Sequence, residues 1–200
     1  MDNELNTIGD AEAVNENGNQ QASDDSQPFL ISNGMGTAYY AYSENPGFGD
    51  IYIQKYNHNG NAEWDVPKLI ADNVGDDLIR YMVPMDDGGC IIIHDLLFFP
   101  IFANVKLTRL DSEGAFVEGW ENIYVSPDGE EGYFENAIET ELGLYITWRD
   151  GDSKVLAKYI PYNASDPSNI DILNISDTGN LYTESLAIDY NLFSHEVLSC

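Results

Sequence analysis

The residues best suited to chemistry in this sequence are a cysteine and a histidine four positions apart, Cys90 and His94. A thiol beside an imidazole is a pair that nucleophilic catalysis uses, provided that the two groups come within hydrogen-bond distance. Both residues lie in one strand-like run, where a rise of about 3.3 Å per residue places their Cα atoms ~13 Å apart on the same face. We therefore expect no cysteine nucleophile and interpret Cys90 as a small buried apolar residue.

Carboxylates are the most abundant titratable groups, with 35 Asp and Glu residues against eight Lys and Arg residues and a formal net charge of −27. Glycosidases use two carboxylates that face each other across a cleft, but so many candidates leave no basis for choosing a pair. A surface this negative repels phosphate backbones and anionic lipid head groups, so we expect neither nucleic acid nor a membrane as partner. We predict no catalytic residue.

Calcium is the natural ion for such a chain, because hard cations take carboxylate and carbonyl oxygens. Asp86-Asp87 and Asp150-Gly-Asp152 are the candidate ligands, but neither fits a twelve-residue calcium loop, and Asp and Gly are also common turn residues. We favour the turn interpretation, predict no metal site and no cofactor, and keep calcium as the weaker alternative. The chain's two cysteines do not make a disulfide framework.

The elements that must position these residues repeat about every fifty residues. Each repeat has a glycine that opens a short apolar run; these glycines are Gly36, Gly89 and Gly143, which lie 53 and 54 residues apart. A period of this size is typical of stacked or radially arranged units. In the second strand-like run of each repeat, one of the rare basic residues occupies the same position, just before the last residue of the run; these residues are Lys55, Arg109 and Lys158. We interpret these three as residues whose stems cover apolar surface and whose charged ends pair with carboxylates.

The runs between the turn signals predict an all-β chain with four antiparallel strands in each repeat. The pairs Asn33-Gly34 and Asp87-Gly88 are hairpin signals between first and second strands. No 3.6-residue apolar period persists long enough to indicate a helix. The predicted strands lie near 28–32, 37–43, 50–56 and 67–71, near 79–84, 90–94, 104–110 and 122–126, and near 133–139, 144–148, 154–160 and 171–175.

The order of residues within a repeat resembles the blades of secreted bacterial β-propellers of the Bacteroidota type. Asp86-Asp-Gly-Gly89 and Asp50-Ile-Tyr52 carry the resemblance best, and it covers roughly residues 26–176. The resemblance implies a β-propeller-like fold with four-stranded blades, an extracellular or cell-surface location and a non-catalytic role in binding protein or carbohydrate. Two alternatives stay open: a glycan-acting hydrolase on a propeller scaffold, and an architectural subunit that assembles through its blade edges.

The domain organisation follows the repeats. Residues 1–25 contain no aromatic and no basic residue, so we expect them to be flexible or to form the last strand of a preceding blade. Residues 26–200 form the repeat domain, with repeats near 26–73, 74–126 and 127–176 and a partial repeat at 177–200. Because three and a half blades do not close a ring, we expect a segment of a longer protein or, less favoured, ends that meet in an incomplete blade. We expect no signal peptide in this chain, since its first residues lack a basic and an apolar region.

One segment breaks the pattern of the repeats. The connection between the second and third strands is polar in the first and third repeats but reads Leu96-Leu-Phe-Phe-Pro-Ile-Phe102 in the second. Loops normally run over the surface, so an apolar loop indicates either a cap on a neighbouring blade or a surface that docks a partner or another copy of the chain. We predict a partner-binding site at Leu97, Phe98, Phe99, Ile101 and Phe102.

Overall fold

The computed structural model describes residues 29–44, 49–72, 76–98, 102–175, 188–191 and 196–199. These residues form three four-stranded antiparallel sheets and one two-stranded sheet. Within these ranges the only helical element is a 3-10 turn at Pro167–Asn169. The prediction of an all-β chain with four-stranded antiparallel units is therefore confirmed. Residues 1–25, which we predicted to be flexible or to form the last strand of a preceding blade, lie outside the described residues.

Each four-stranded sheet is a meander in which every strand pairs with the next one along the chain. Sheet 1 consists of β1 (Phe29–Ser32), β2 (Ala38–Glu44), β3 (Asp50–Tyr56) and β4 (Lys68–Ala71). Sheet 2 consists of β5 (Asp76–Pro84), β6 (Cys90–Phe98), β7 (Phe102–Leu110) and β8 (Ile123–Tyr124). Sheet 3 consists of β9 (Gly132–Glu139), β10 (Gly143–Asp150), β11 (Val155–Pro161) and β12 (Leu173–Asn174). The two-stranded sheet pairs β13 (Ile188–Asn191) with β14 (Glu196–Ser199).

Tight turns capped by polar side chains join the first two strands of the sheets. Between β5 and β6, the Asp87 side chain accepts a hydrogen bond from the Gly89 backbone N–H at 2.9 Å, and Gly88 takes a left-handed φ of 82°. Gly89 is required by space, because a Cβ there would lie 2.1 Å from the Leu110 carbonyl oxygen. Asp87 is thus a turn residue, as the sequence indicated.

Sheet 2 lies between sheets 1 and 3 and is buried on both faces. Side chains alternate between the faces of a strand, so Ile92 packs in a core cluster with residues of sheet 1, whereas Ile91 and Ile93 pack in a second cluster with residues of sheet 3. A strand that is buried on both faces reads as a continuous apolar run rather than an alternating one. This burial explains the composition of β6.

The first strands of successive sheets are neighbours. Strand β1 contacts β5, β5 contacts β9, and β9 contacts β13. The sheets are therefore arranged in sequence order with their first strands side by side.

Among the described residues, no helix has the length and apolar character needed to cross a membrane.

Side-chain hydrogen bonds at equivalent positions join sheet 1 to sheet 2 and sheet 2 to sheet 3. From sheet 1, Lys55 Nζ and Trp64 Nε1 both donate to the Ser112 carbonyl oxygen, at 3.1 and 3.3 Å. From sheet 2, Arg109 Nη1 donates to the carbonyl oxygen of Tyr162 at 2.7 Å. Trp120 Nε1 donates to the carbonyl oxygen of Ala164 at 2.9 Å. Equivalent residues of sheets 1 and 2 thus bind the segment that follows the third strand of the following sheet.

The predicted carboxylate partners are present for two of the three basic residues. Lys55 Nζ lies 3.1 Å from Glu63 Oε2, and Arg109 Nη2 lies 2.6 Å from Asp87 Oδ2. For these two residues the structure agrees with the interpretation as covering and pairing residues.

Lys158 does not belong to this set, and its grouping with Lys55 and Arg109 was wrong. Lys55 is paired with Tyr39, and Arg109 is paired with Ile91. Tyr39 and Ile91 each lie two residues after the residue whose backbone carbonyl closes the turn before the second strand. Lys158 is paired with Ile146, which lies three residues after the corresponding turn-closing residue, Gly143. A shift of one residue moves a strand side chain to the other face, so Lys158 faces sheet 2 rather than away from it.

Candidate ligand-binding cleft

The residues predicted to bind a partner fall where the structure describes little. Leu97 and Phe98 are the last residues of β6 and Phe102 is the first of β7, with Phe98 paired to Phe102. The strands therefore extend further into this segment than the sequence indicated. Phe99 and Ile101 lie outside the described residues, as do the side chains of the other three. The partner-binding assignment of this segment stays a prediction.

The described residues instead line an open cleft of about 520 Å³ at the outer margin between sheets 2 and 3. One wall is the segment 121–128, which contains β8, the last strand of sheet 2. The other wall is formed by Lys158 of β11 and by Ser168, Ile170 and Ile172 of the connection that leads to β12. The volume lies within the range of small-ligand sites, about 300–1,000 Å³.

The walls of the cleft combine four aliphatic side chains with polar ones, and carboxylates lie at the rim. Ile123 and Val125 are buried, and Ile170 is half-buried. Glu121 and Asp128 also line the cleft and are exposed. The arrangement suits a ligand with an apolar body.

Lys158 is the unusual residue of this cleft, because only 3 % of its surface is exposed and its ammonium group makes no hydrogen bond or ion pair with any residue in the described ranges. Burial lowers the pKa of its ammonium group below the usual value for lysine. The cause is desolvation, which penalises a charged amine that no carboxylate compensates. The cleft thus contains a buried basic group with free hydrogen-bonding capacity.

The equivalent positions in the other sheets show how this site departs from the repeat. Gln54 of sheet 1 donates to the Trp64 carbonyl oxygen at 3.1 Å, and Thr108 of sheet 2 accepts from the Asn122 backbone N–H at 3.1 Å. Both polar side chains are satisfied by the connection between the third and fourth strands of their own sheet. In sheet 3 that connection carries the 3-10 turn, and Lys158 has no such partner among the described residues.

Sequence reasoning missed the cleft because it needs two sheets to form. A signal was nevertheless present: the third repeat departs from the others after its third strand, where it reads Pro161-Tyr-Asn-Ala-Ser-Asp-Pro-Ser168 and no Trp follows. The 3-10 turn in this segment is built by Asp166, whose side chain caps it by accepting from the Ser168 backbone N–H at 3.0 Å. Ser168 then lies in the cleft wall.

A second buried polar cluster lies on the face of sheet 2 that packs against sheet 1. His94 is fully buried, and neither of its ring nitrogens has a hydrogen-bond partner of normal geometry among the described residues. Asp77 Oδ1 is 3.9 Å from its Nδ1, which is too long for a hydrogen bond. Burial, together with the neighbouring positive charge of Lys106, lowers the pKa of His94 to about 3. His94 is therefore a neutral core residue at physiological pH.

Cys90 is also a core residue. It lies on the same strand as His94 and is fully buried. Burial raises the pKa of its thiol well above the usual range, which is the opposite of what an activated thiolate needs. The structure thus agrees with the interpretation of Cys90 as a small buried apolar residue.

Carboxylates with raised pKa values lie outside the cleft. Burial raises the pKa of Asp95 to about 6 against the opposing effect of Arg80, whose Nε is 2.6 Å from the carboxylate. Burial also raises the pKa of Glu139. Neither residue lines the cleft. Within the described ranges, no group of three His, Cys, Asp or Glu side chains is placed to hold a metal ion.

Comparison with known proteins gives one distant neighbour. No protein-family model matches the chain, and no curated protein matches it. Among solved structures the chain is similar to an endo-arabinase from Bacteroides thetaiotaomicron, with 15% sequence identity and a TM-score of 0.32. The match covers 77% of this chain and 57% of the endo-arabinase chain, so this chain spans little more than half the length of that neighbour. A similarity at this score carries no argument about activity.

Proposed function

We propose that the chain is a propeller-like, non-catalytic binding module of a secreted or cell-surface protein, and that it binds protein or carbohydrate in the cleft between sheets 2 and 3. The propeller-like arrangement is supported by the four-stranded meanders and by the contacts between their first strands.

The cleft is the observation that carries the proposal. It is open, it has the volume of a ligand site, and its walls combine buried aliphatic side chains with one buried amine. A concave apolar surface with few polar groups is the usual form of a binding site, because the apolar walls provide affinity and the polar groups fix orientation.

Methyl-labelled NMR spectroscopy tests the proposal directly. Blocked pentapeptides, a cello-oligosaccharide and an oligogalacturonate are titrated into protein labelled at isoleucine methyl groups. We expect at least one probe to shift the methyl resonances of Ile123, Ile170 and Ile172 saturably and to be recovered intact by mass spectrometry. Absence of saturable shifts for every probe, or cleavage of the bound probe, overturns the proposal.

Two isoleucines of similar exposure provide a matched pair of variants. Ile172 lines the cleft and is 39 % exposed, whereas Ile175 is 42 % exposed and lies outside it. Ile172→Trp fills the cleft and should abolish binding. Ile175→Trp places the same side chain on the surface nearby and should leave binding intact.

A second candidate function, assembly through sheet edges, is supported by the outermost strands. Leu69 of β4 is 38 % exposed and Leu173 of β12 is 49 % exposed, and edge strands with apolar side chains pair readily with other chains. Sedimentation velocity tests this candidate: a concentration-dependent dimer that the Leu173→Lys variant loses supports assembly, and a monomer at all concentrations rejects it. The hydrolase alternative has no comparable support, since the carboxylates with raised pKa do not line the cleft.

A further inference from the structure

We infer that Lys158 makes the cleft a carboxylate-binding site, and that its partner is a peptide segment carrying one acidic residue between aliphatic neighbours. The inference rests on the proposed binding function of the cleft and names the chemistry of its ligand.

The first step is the missing partner of the amine. An ammonium group on a largely buried side chain is unfavourable without a carboxylate beside it, because burial removes part of its hydration and no opposite charge replaces it. Lys158 is in that position, whereas Gln54 and Thr108 at the equivalent positions are hydrogen-bonded. An incoming carboxylate supplies both the opposite charge and the hydrogen-bond acceptors that the amine lacks.

The second step concerns the charges near Lys158 on the protein itself. Glu121 and Asp128 line the cleft, but neither comes within 4 Å of the amine, since no ion pair with Lys158 exists among the described residues. They lie at the exposed rim rather than beside the buried amine. The site for the ligand carboxylate is therefore not taken by a described carboxylate of the chain.

The third step distinguishes a peptide from an acidic sugar. Sugar rings are commonly bound by stacking on aromatic side chains, but among the described residues that line the cleft the only aromatic one is Tyr124, and Ile123, Val125, Ile170 and Ile172 supply its aliphatic surface. That surface suits aliphatic peptide side chains. Strand β8 is also the last strand of sheet 2, and an extended peptide can add to an exposed sheet edge through main-chain hydrogen bonds.

The test compares two blocked pentapeptides that differ in one group. The acidic peptide is acetyl-Ser-Ile-Glu-Val-Ser-amide, and its twin has Gln in place of Glu. Binding is measured by the same methyl shifts and by isothermal titration calorimetry. We expect the acidic peptide to bind about tenfold more tightly, which is the usual advantage of a hydrogen bond to a charged group.

Two lysine variants separate the local effect from net charge. Lys158→Met removes the amine from the cleft and should make the two peptides bind equally. Lys154→Met causes the same change in net charge at an exposed ion pair with Asp152 and should keep the tenfold preference. Circular dichroism confirms that both variants are folded.

The possible outcomes distinguish this inference from the proposed function. Equal binding of both peptides to the wild-type cleft, or an unchanged preference in Lys158→Met, overturns the carboxylate inference and leaves the binding function standing. Shifts with the oligogalacturonate but not with the acidic peptide overturn the choice of a peptide partner. Failure of every probe to shift the cleft methyl groups rejects both proposals.

Discussion

At the scale of single residues, Lys158 and His94 are buried basic groups whose environments disfavour their charged forms. Lys158 opens onto the cleft, and His94 is enclosed between sheets 1 and 2. Both have lowered pKa values because of desolvation. They differ in surroundings, since a ligand in the cleft can reach Lys158 but nothing can approach His94 without opening the core. Lys158 is thus a binding residue in our interpretation, and His94 is a structural one.

Replacing Lys158 should stabilise the protein in the absence of ligand. The folded protein binds a proton at Lys158 less readily than the unfolded chain does. Burial of the charged amine therefore lowers the folding stability most below the lowered pKa, and this loss disappears as the pH rises toward the ordinary lysine pKa of about 10.4. We expect Lys158→Met to raise the free energy of unfolding by about 1 kcal/mol at pH 7, with a smaller gain at pH 10. Urea denaturation at the two pH values measures this, and a destabilised Lys158→Met protein would contradict it.

Replacing His94 by an apolar residue should remove part of the acid sensitivity. Its pKa is about 3 in the folded protein against 6.5 in a model compound, so acidification between these values protonates the unfolded chain first and favours unfolding. Relative to His94→Leu, the wild-type protein should lose stability by up to about 1.4 kcal/mol per pH unit in this window. The buried Asp95 acts in the opposite direction, but it is present in both proteins and cancels in the difference. Parallel stability curves for the two proteins from pH 7 to 4 would refute the assignment.

At the scale of elements, the inter-sheet hydrogen bonds account for how neighbouring sheets keep their relative position. Arg109 illustrates the arrangement, since it bonds the turn residue Asp87 of its own sheet and the backbone at Tyr162 of the next. Its guanidinium also lies 5.3 Å from the centre of the Trp120 ring. Each of these contacts joins parts of the chain that are far apart in sequence.

We expect Arg109→Met to lower the free energy of unfolding by about 2 kcal/mol, because it removes two charge-assisted hydrogen bonds and leaves acceptors behind. The exposed pair formed by Lys154 and Asp152, 3.6 Å apart, provides the control. Lys154→Met should change stability by less than about 0.5 kcal/mol. Thermal denaturation compares the two variants, and equal melting temperatures would show that the inter-sheet bonds of Arg109 do not contribute.

The segment between β6 and β7 remains open to the experiment that its sequence suggests. If its aromatic residues dock a partner or another copy of the chain, Phe98→Ser combined with Phe99→Ser should abolish binding or self-association and leave the melting temperature within a few degrees. If the residues cap a neighbouring blade instead, the melting temperature should fall sharply, since buried Phe residues contribute about 3–5 kcal/mol each. Calorimetry and light scattering on the double variant distinguish these results.

The local sequence predicted most of the strands and turns, but it did not predict which residues of other sheets they contact. The apolar run after Gly89 and the turn at Asp87-Gly88 define β6 and the hairpin before it, because both depend on residues close in sequence. The register of Lys158 depended on the length of the preceding turn, and an error of one residue placed it on the wrong face. The cleft brings 121–128 together with residues from Lys158 onward, and that contact arises only when two sheets pack.

At the scale of the whole molecule, the net charge of −27 opposes the approach of the acidic ligand that we propose. The opposing forces have different ranges. Long-range repulsion acts through solvent and is screened by salt over about 10 Å at 0.1 M, whereas the contact with a buried amine is screened much less. An acidic ligand would then bind only if the contact between its carboxylate and the amine of Lys158 outweighs the long-range repulsion.

This difference predicts an unusual salt dependence. Raising the ionic strength from about 10 to 150 mM should increase the affinity of the acidic pentapeptide, because salt weakens the repulsion more than the contact. The Gln twin should show little change. Calorimetric titrations at the two ionic strengths provide the measurement. Weaker binding of the acidic peptide at higher salt would indicate an exposed basic patch instead of the buried amine.

The inter-sheet hydrogen bonds have a consequence for how such a chain can diverge by duplication. Their donors are lysine, arginine and tryptophan side chains, but their acceptors are the backbone carbonyl oxygens of Ser112, Tyr162 and Ala164. A carbonyl oxygen is present at every residue, so the receiving loop keeps its role whatever its sequence, as long as its path is retained. One copy of the repeat can therefore acquire a new segment in the loop that accepts these hydrogen bonds and still pack against the neighbouring sheet. The third repeat, with its altered connection and its cleft, is what that freedom permits.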